Sequence, residues 1–256
     1  MSVPQSPETV DVDFVAPRHL AGGGDPAWVT APLHRACGWS YGHDPLIPRV
    51  LLSSPDQKAL LRLEPDADGP WWTVQHTRVD EQPAWYASFG ARTPVEIIAA
   101  FTDAVTDAAR PAEIDPFEPL RQAGWHSPSV DDALVSPDGI VRVDRAAHGS
   151  TSAWAIRTAL SWQPAIWRAD LDGNTPAHLI TALTRALASD SPLIRAPGRV
   201  PHLAHAQMTV SSHGVPAESL ASALEDRVRA LAARHVAPST PTPAPRRPPA
   251  GPGRAR

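Results

Sequence analysis

Two Ser-Pro-Asp triplets, Ser54-Pro55-Asp56 and Ser136-Pro137-Asp138, put a hydroxyl two residues from a carboxylate twice in one chain. A nucleophilic serine needs a base within hydrogen-bond reach, and no histidine or lysine stands in a spacing that supplies one to both. Proline presets a turn dihedral and an aspartate side chain satisfies nearby backbone donors, so both triplets read as turns. Gly22-Gly23-Gly24 invites a phosphate loop, but such a loop ends in Gly-Lys-Ser/Thr before a helix. Here Asp25-Pro26 follows, placing a carboxylate where an anion would sit, so the stretch reads as a flexible turn.

Two groups could hold a metal: His202, His205 and His213, and His34, Cys37 and His43-Asp44. The first lies in a segment, His202–Ser212, that reads as a strand, where residues three apart face opposite ways. The second lacks the paired spacing of a zinc site. Capping or solvated histidines are expected instead. There is no Gly-x-Ser-x-Gly elbow, and Cys37 precedes Gly38-Trp39 as a small buried residue. A hydrolase using dispersed histidines is the least favoured reading, and no catalytic residue, metal or cofactor is expected.

The elements that carry these residues are duplicated. Thr93-Pro94 recurs as Thr175-Pro176 at an offset of 82, which also carries Trp72 to Trp154, Trp85 to Trp167 and the first Ser-Pro-Asp to the second. Residues 49–110 and 132–190 are therefore two copies of one unit. Strands are expected near Arg49–Ser53, Lys58–Leu63, Trp71–Arg78 and Ala84–Phe89. Their partners fall near Ala133–Ser136, Ile140–Arg145, Ala153–Leu160 and Ala165–Leu171.

A helix follows each set. Thr93 suits the N-cap, Pro94 the first helical position and Glu96 the third, a capping-box pattern. Ile97, Ile98, Phe101 and Val105 form its apolar stripe, matched by Leu179, Ile180, Leu183 and Leu187. A smaller echo precedes each copy: Pro32-Leu33 leads to Gly38-Trp39, and Pro119-Leu120 to Gly124-Trp125, with residues 111–118 as the junction. Ala217–His235 reads as a separate helix with Leu220, Leu224, Val228 and Leu231 on one side. Residues 237–256, rich in Pro, Arg and Ala, are expected to be disordered.

Alternation assigns the sheet faces. Ala59, Leu61, Trp72, Val74, Trp85, Ala87 and Phe89, with Val141, Val143, Trp154, Ile156, Trp167, Ala169 and Leu171, should lie beneath the helices. The other face carries Lys58, Leu60, Arg62, Thr73, Gln75 and Tyr86 in the first copy, and Arg142, Asp144, Arg157, Arg168 and Asp170 in the second. Its candidate binding residues are Lys58, Arg62, Gln75, Tyr86, Arg142, Arg157 and Arg168. The expected fold is α+β, two tandem copies of a four-stranded antiparallel sheet plus one helix. In order of elements it resembles the repeat plan of Pur-alpha and Whirly-type single-strand binders.

The Ser-Pro-Asp turns, the Ala-Gly-Gly-Gly-Asp-Pro-Ala-Trp-Val stretch at 21–29 and Pro-Ala-Trp-Tyr-Ala-Ser-Phe-Gly at 83–90 resemble the SPDY-domain family of Streptomyces. That family is named for a Ser-Pro-Asp-Tyr turn and typically carries it twice. The resemblance covers about residues 14–190 and implies repeats at 14–110 and 111–195; the residues beyond them read as a C-terminal strand and helix at 196–236 and the tail at 237–256. In this chain the fourth motif position is Gln57 or Gly139 in place of tyrosine.

Composition narrows the function classes. A hydrophobic content of 42% suffices for a packed core, and nine tryptophans can anchor small sheets. The net charge is −4, yet residues 237–256 hold four arginines and no acid, so the remainder is −8. A protein gripping nucleic acid by its backbone usually shows a basic footprint, and this body lacks one. Cys37 is the single cysteine, no apolar run approaches a membrane span, and no secretory leader precedes Glu8, Asp11 and Asp13. A cytoplasmic, non-enzymatic interaction protein is expected, with a protein partner favoured over single-stranded nucleic acid.

Overall fold

A computed structural model of the chain describes residues 8–42, 49–66, 69–80, 82–107, 115–128, 132–148, 151–160 and 164–235. His43, Asp44, residues 111–114 of the junction and the tail at 237–256 lie outside the described residues. Each repeat folds as the offset implies. The first contributes β3 (Val50–Ser53), β4 (Ala59–Leu63), β5 (Trp72–His76), β6 (Trp85–Phe89) and α2 (Val95–Thr106), after α1 (Ala27–Arg35) and the short β2 (Ser40–Gly42). The second contributes α3 (Glu118–Gln122), β7 (Ala133–Val135), β8 (Val141–His148), β9 (Thr151–Thr158), β10 (Trp167–Leu171) and α4 (Ala177–Ala188).

The two four-stranded sets do not remain separate sheets. β6 pairs antiparallel with β10, giving one nine-stranded sheet in the order β2-β3-β4-β5-β6-β10-β9-β8-β7. Because β6 and β10 are equivalent strands, their antiparallel pairing relates the repeats by a local two-fold axis. The backbone bonds obey it: Gly90 N–H donates to the Arg168 carbonyl at 2.8 Å, and its counterpart Asp172 N–H donates to the Tyr86 carbonyl at 3.0 Å. On the rim, β2 pairs Ser40 with Ser53, and the matching bridge in the second copy pairs His126 with Val135.

All the inward-facing residues named above are buried, and they join α2 and α4 in one apolar cluster spanning both copies. Trp72 and Trp154 are both buried, 2% and 6% exposed, although only Trp154 packs against Phe117. Of the stripe residues on the two helices only Val105 remains half-buried. The helices form a second layer in which α2 packs on α4, α1 on α2 and α3 on α4. Gly38 and Gly124, with φ of +70° and +80°, end the short helical segments before the buried Trp39 and Trp125.

A separate three-stranded sheet closes one end, in the order β11 (Leu193–Arg195), β1 (Thr9–Ala16) and β12 (Thr209–Pro216). Two expectations need correction. The capping box does not form: the helix begins at Val95 with Pro94 as its cap, so Thr93 falls one position too early and its buried hydroxyl has no partner. Glu96 is drawn instead to Arg195, described below. Residues His202–Gln207 form a 3₁₀ helix in place of the first half of the expected strand, entered through Pro201, and strand structure starts at Thr209. Ala217–His235 is a helix as expected, α5, and it docks in cis on α1. No helix among the described residues is long and apolar enough to cross a membrane.

Candidate functional site

Strand alternation under α2 and α4 leaves the other face of the nine-stranded sheet to carry the candidate residues. β8, β9 and β10 align Arg142 with Arg157 and Arg157 with Arg168, so three guanidinium groups stand in one cross-strand row. Like charges directly opposite one another destabilise a sheet. The chain offsets this with acids two residues along the same strands, on the same face. Arg142 Nε donates to Asp144 at 2.6 Å, and Arg168 donates to Asp170 at 2.6 and 2.8 Å. Asp170 holds the Arg168 guanidinium charged beyond its usual range through that hydrogen bond. Arg157, between them, is exposed and has no ion pair among the described residues.

The equivalent row in the first copy is Leu60, Gln75 and Tyr86, also aligned across β4, β5 and β6. Tyr86 is 50% exposed near the middle of the sheet. Lys58 and Arg62 flank this half, 4.0 Å from Asp56 and 3.7 Å from Glu64 respectively. The local two-fold is thus kept by the backbone and broken by the side chains. The central row of one half holds Leu60, Gln75 and Tyr86, and that of the other holds three arginines.

The Ser-Pro-Asp turns serve the core. Ser136 donates to Asp138 Oδ1 at 2.5 Å and accepts from Val141 N–H at 2.9 Å; Ser54 does the same with Asp56 at 2.6 Å and Ala59 N–H at 2.9 Å. Both serines are buried. The fourth motif position adopts a left-handed backbone, φ +60° at Gln57 and +75° at Gly139, so the turn selects it for conformation.

In the second copy only, a buried histidine joins the turn. His19 Nε2–H donates to Asp138 Oδ2 at 2.9 Å, and Trp167 Nε1–H donates to the His19 carbonyl at 2.8 Å. Partial burial pushes the Asp138 carboxyl up, but the hydrogen bonds from His19 and Ser136 outweigh it and hold it at about 2. This is not a Ser-His-Asp relay. The carboxylate lies between the hydroxyl and the imidazole, so no base meets the serine oxygen.

Gly22-Gly23-Gly24 cradles a cation from its own chain. Arg195 is 6% exposed and donates to the carbonyls of Ala21 at 3.0 Å and Gly22 at 3.0 Å. It also makes a two-pronged pair with Glu96 at 2.7 and 2.9 Å. A Cβ on Gly24, whose φ is +92°, would meet Val95 at 2.8 Å. The glycines therefore hold backbone against helix in a fixed turn. Sequence reasoning missed His19 and Arg195, since neither belongs to a motif. His34 caps the Trp39 carbonyl at 2.7 Å. Cys37 is half-buried, and burial raises its thiol. Among the described residues no group of three His, Cys, Asp or Glu could hold a metal ion.

The sequence model of the SPDY domain, a domain of unknown function (DUF317), matches residues 53–111 and again 135–193. The chain is a two-copy SPDY-domain protein. The matched segments run from the end of β3 past α2 and from the end of β7 to β11, so each SPDY domain here covers the turn, three further strands and the helix. No curated protein and no solved structure matches the chain.

Proposed function

We propose that this two-copy SPDY protein is a non-enzymatic binding protein whose open sheet face takes a protein partner. The observation that carries the reading is the contrast between the two central rows of that face, Leu60, Gln75 and Tyr86 in one copy and Arg142, Arg157 and Arg168 in the other. A partner presenting an apolar group beside carboxylates complements both halves. Two of the three arginines are already neutralised by Asp144 and Asp170, which suits recognition by alternating charges better than a continuous grip on phosphates. The buried, hydrogen-bonded serines and the lack of a base beside them support the non-enzymatic part. The single half-buried Cys37 fits a reducing, cytoplasmic setting.

Single-stranded nucleic acid is the second reading, favoured by the arginine row itself. Such binders combine a cationic track with stacking aromatics, and here Tyr86 lies in the other half of the face. The deciding experiment compares the full chain with Tyr86→Ala and with the triple change of Arg142, Arg157 and Arg168 to Ala. Each is used to capture partners from lysate, with and without nuclease, and titrated with single-stranded oligonucleotides at low and physiological salt. Capture that survives nuclease and falls in both variants supports the proposal. Tight, salt-sensitive oligonucleotide binding lost in the triple variant would reverse the ranking. Turnover of an esterase or nuclease substrate that disappears on a single histidine change would overturn the non-enzymatic reading.

A further inference from the structure

The local two-fold axis has one clear exception in the helix layer. α5 lies across the groove between α1 and α2, and nothing among the described residues lies across the equivalent groove between α3 and α4. In the first groove Arg227 donates to both oxygens of Asp103 at 2.8 and 3.1 Å and to the Trp28 carbonyl at 2.8 Å. His235 pairs with Thr106 at 3.1 Å, Arg35 pairs with Glu225 at 2.5 and 2.7 Å, and Val228 and Leu231 are buried.

Carried across the axis, this docking site lands on a groove of about 630 Å³. Asp103 becomes Arg185, Thr106 becomes Ala188, and Arg35, counted from the Pro-Leu pair, becomes Gln122. All three line that groove, with Pro119, Ala123 and Asp190. It therefore occupies the place that the α5 docking site holds in the first copy, walled by the five-residue α3 in place of the nine-residue α1, and its central charge is reversed. Arg185 is exposed and has no ion pair among the described residues. Two acids also line the groove: the exposed Asp190, and Glu118, which is engaged within α3, accepting from Gln122 at 3.0 Å and lying 3.8 Å from Arg121.

We infer that the α3–α4 groove is a docking site for an amphipathic helix of a partner protein, one that presents a carboxylate to Arg185 where α5 presents Arg227 to Asp103. Pro119, Ala123 and Ala188 supply a shallow floor for small apolar side chains. α5 itself is a poor occupant, because Arg227 and Arg234 would face Arg185. The site lies on the helix side of the sheet and does not depend on the open face.

The probe is a labelled peptide with the sequence of residues 217–235 carrying Arg227→Glu and Arg234→Glu, compared with the unaltered peptide. Both are titrated into the full chain and into its Arg185→Asp variant and followed by fluorescence anisotropy. The α1–α2 groove does not interfere, since its own tethered helix competes at an effective concentration on the order of millimolar. The charge-swapped peptide should bind the wild-type chain at least about tenfold more tightly than the unaltered one. That preference should invert on Arg185→Asp. Ala123→Trp, at an exposed position of the groove lining, should abolish binding of both peptides without lowering the melting temperature. Absent binding, or equal binding that ignores Arg185→Asp, overturns the inference. Displacement of the probe by a peptide of residues 237–256 reassigns the groove to the chain's own tail. Self-association lost in Arg185→Asp reassigns it to a second copy. Either result also overturns the partner assignment.

Discussion

Ser88 lies directly opposite Asp170, and the two residues are the same position of the two repeats. The local two-fold axis passes through this pair. On either side of it Ala87 faces Leu171 and Phe89 faces Ala169, so each large residue of one strand meets the small residue of its counterpart. The junction between the copies is self-complementary because the strand alternates small and large on its inward face.

Ser88→Asp places two carboxylates across the axis. Like charges directly opposite in a sheet cost up to roughly 1 kcal/mol. The urea midpoint should fall accordingly. Adding Asp170→Ser to Ser88→Asp should recover most of the loss, and a double change no better than the single one would contradict the pairing.

One continuous sheet and one apolar cluster predict one cooperative transition. Trp72→Ala and Trp154→Ala should each cost roughly 3–5 kcal/mol, and each should lower the midpoint reported by probes in both repeats. Far-ultraviolet circular dichroism and tryptophan fluorescence are the readouts. Two separated transitions, with each substitution moving only its own, would show that the copies unfold independently.

The Asp138 carboxyl is held at about 2 in the fold, below its ordinary 3.8. A depressed carboxyl contributes stability that is fully present above its unfolded value and is lost as pH falls through the folded one. The acid limb of the stability curve between about pH 4 and 2 should therefore flatten in Asp138→Asn. At neutral pH that change should cost about 1–3 kcal/mol, since it weakens the partner of a buried His19. Asp56→Asn should cost less, because the Asp56 side chain is 57% exposed and has no histidine. Equal losses at the two turns would remove His19 from the account.

Arg195 and Glu96 predict an asymmetric response. Arg195→Ala leaves Glu96 and the carbonyls of Ala21, Gly22 and Ile194 facing the space of a buried guanidinium, and breaking one side of such a pair costs roughly 3–5 kcal/mol. Glu96→Gln keeps hydrogen-bond capacity and should cost less. Gly24→Ala should destabilise by about 1–3 kcal/mol through backbone strain and the approach to Val95. Chemical denaturation of the three variants checks the order.

The duplication and both sheet faces were legible because they rest on local patterns, an offset of 82 and a two-residue alternation. The joining of β6 to β10 was not, since strand edges pair through backbone groups that every residue carries. Glu96 shows the limit most clearly. Its spacing from Thr93 spells a capping box, yet the partner that claims it lies 99 residues away in the sequence. β11 has only three residues, and β1 finds both of its partners near the far end of the described chain, where no periodicity could link them. On the candidate face, alternation assigns each residue to one side. Register alone aligned Arg142, Arg157 and Arg168 into a row and set Tyr86 apart from it.

β1 is made early and paired late. Its residues leave the ribosome first among the described strands, but neither Leu193–Arg195 nor Thr209–Pro216 exists until most of the chain has been synthesised. At roughly 5–20 residues per second, Thr9–Ala16 spends about 10–40 s without a hydrogen-bonded neighbour while both repeats emerge. The cage at Ala21 and Gly22 likewise has no guanidinium during that interval. Completion of the three-stranded sheet is thus a closing event of biosynthesis, and a nascent chain halted before residue 193 carries an open strand edge at its amino-terminal end.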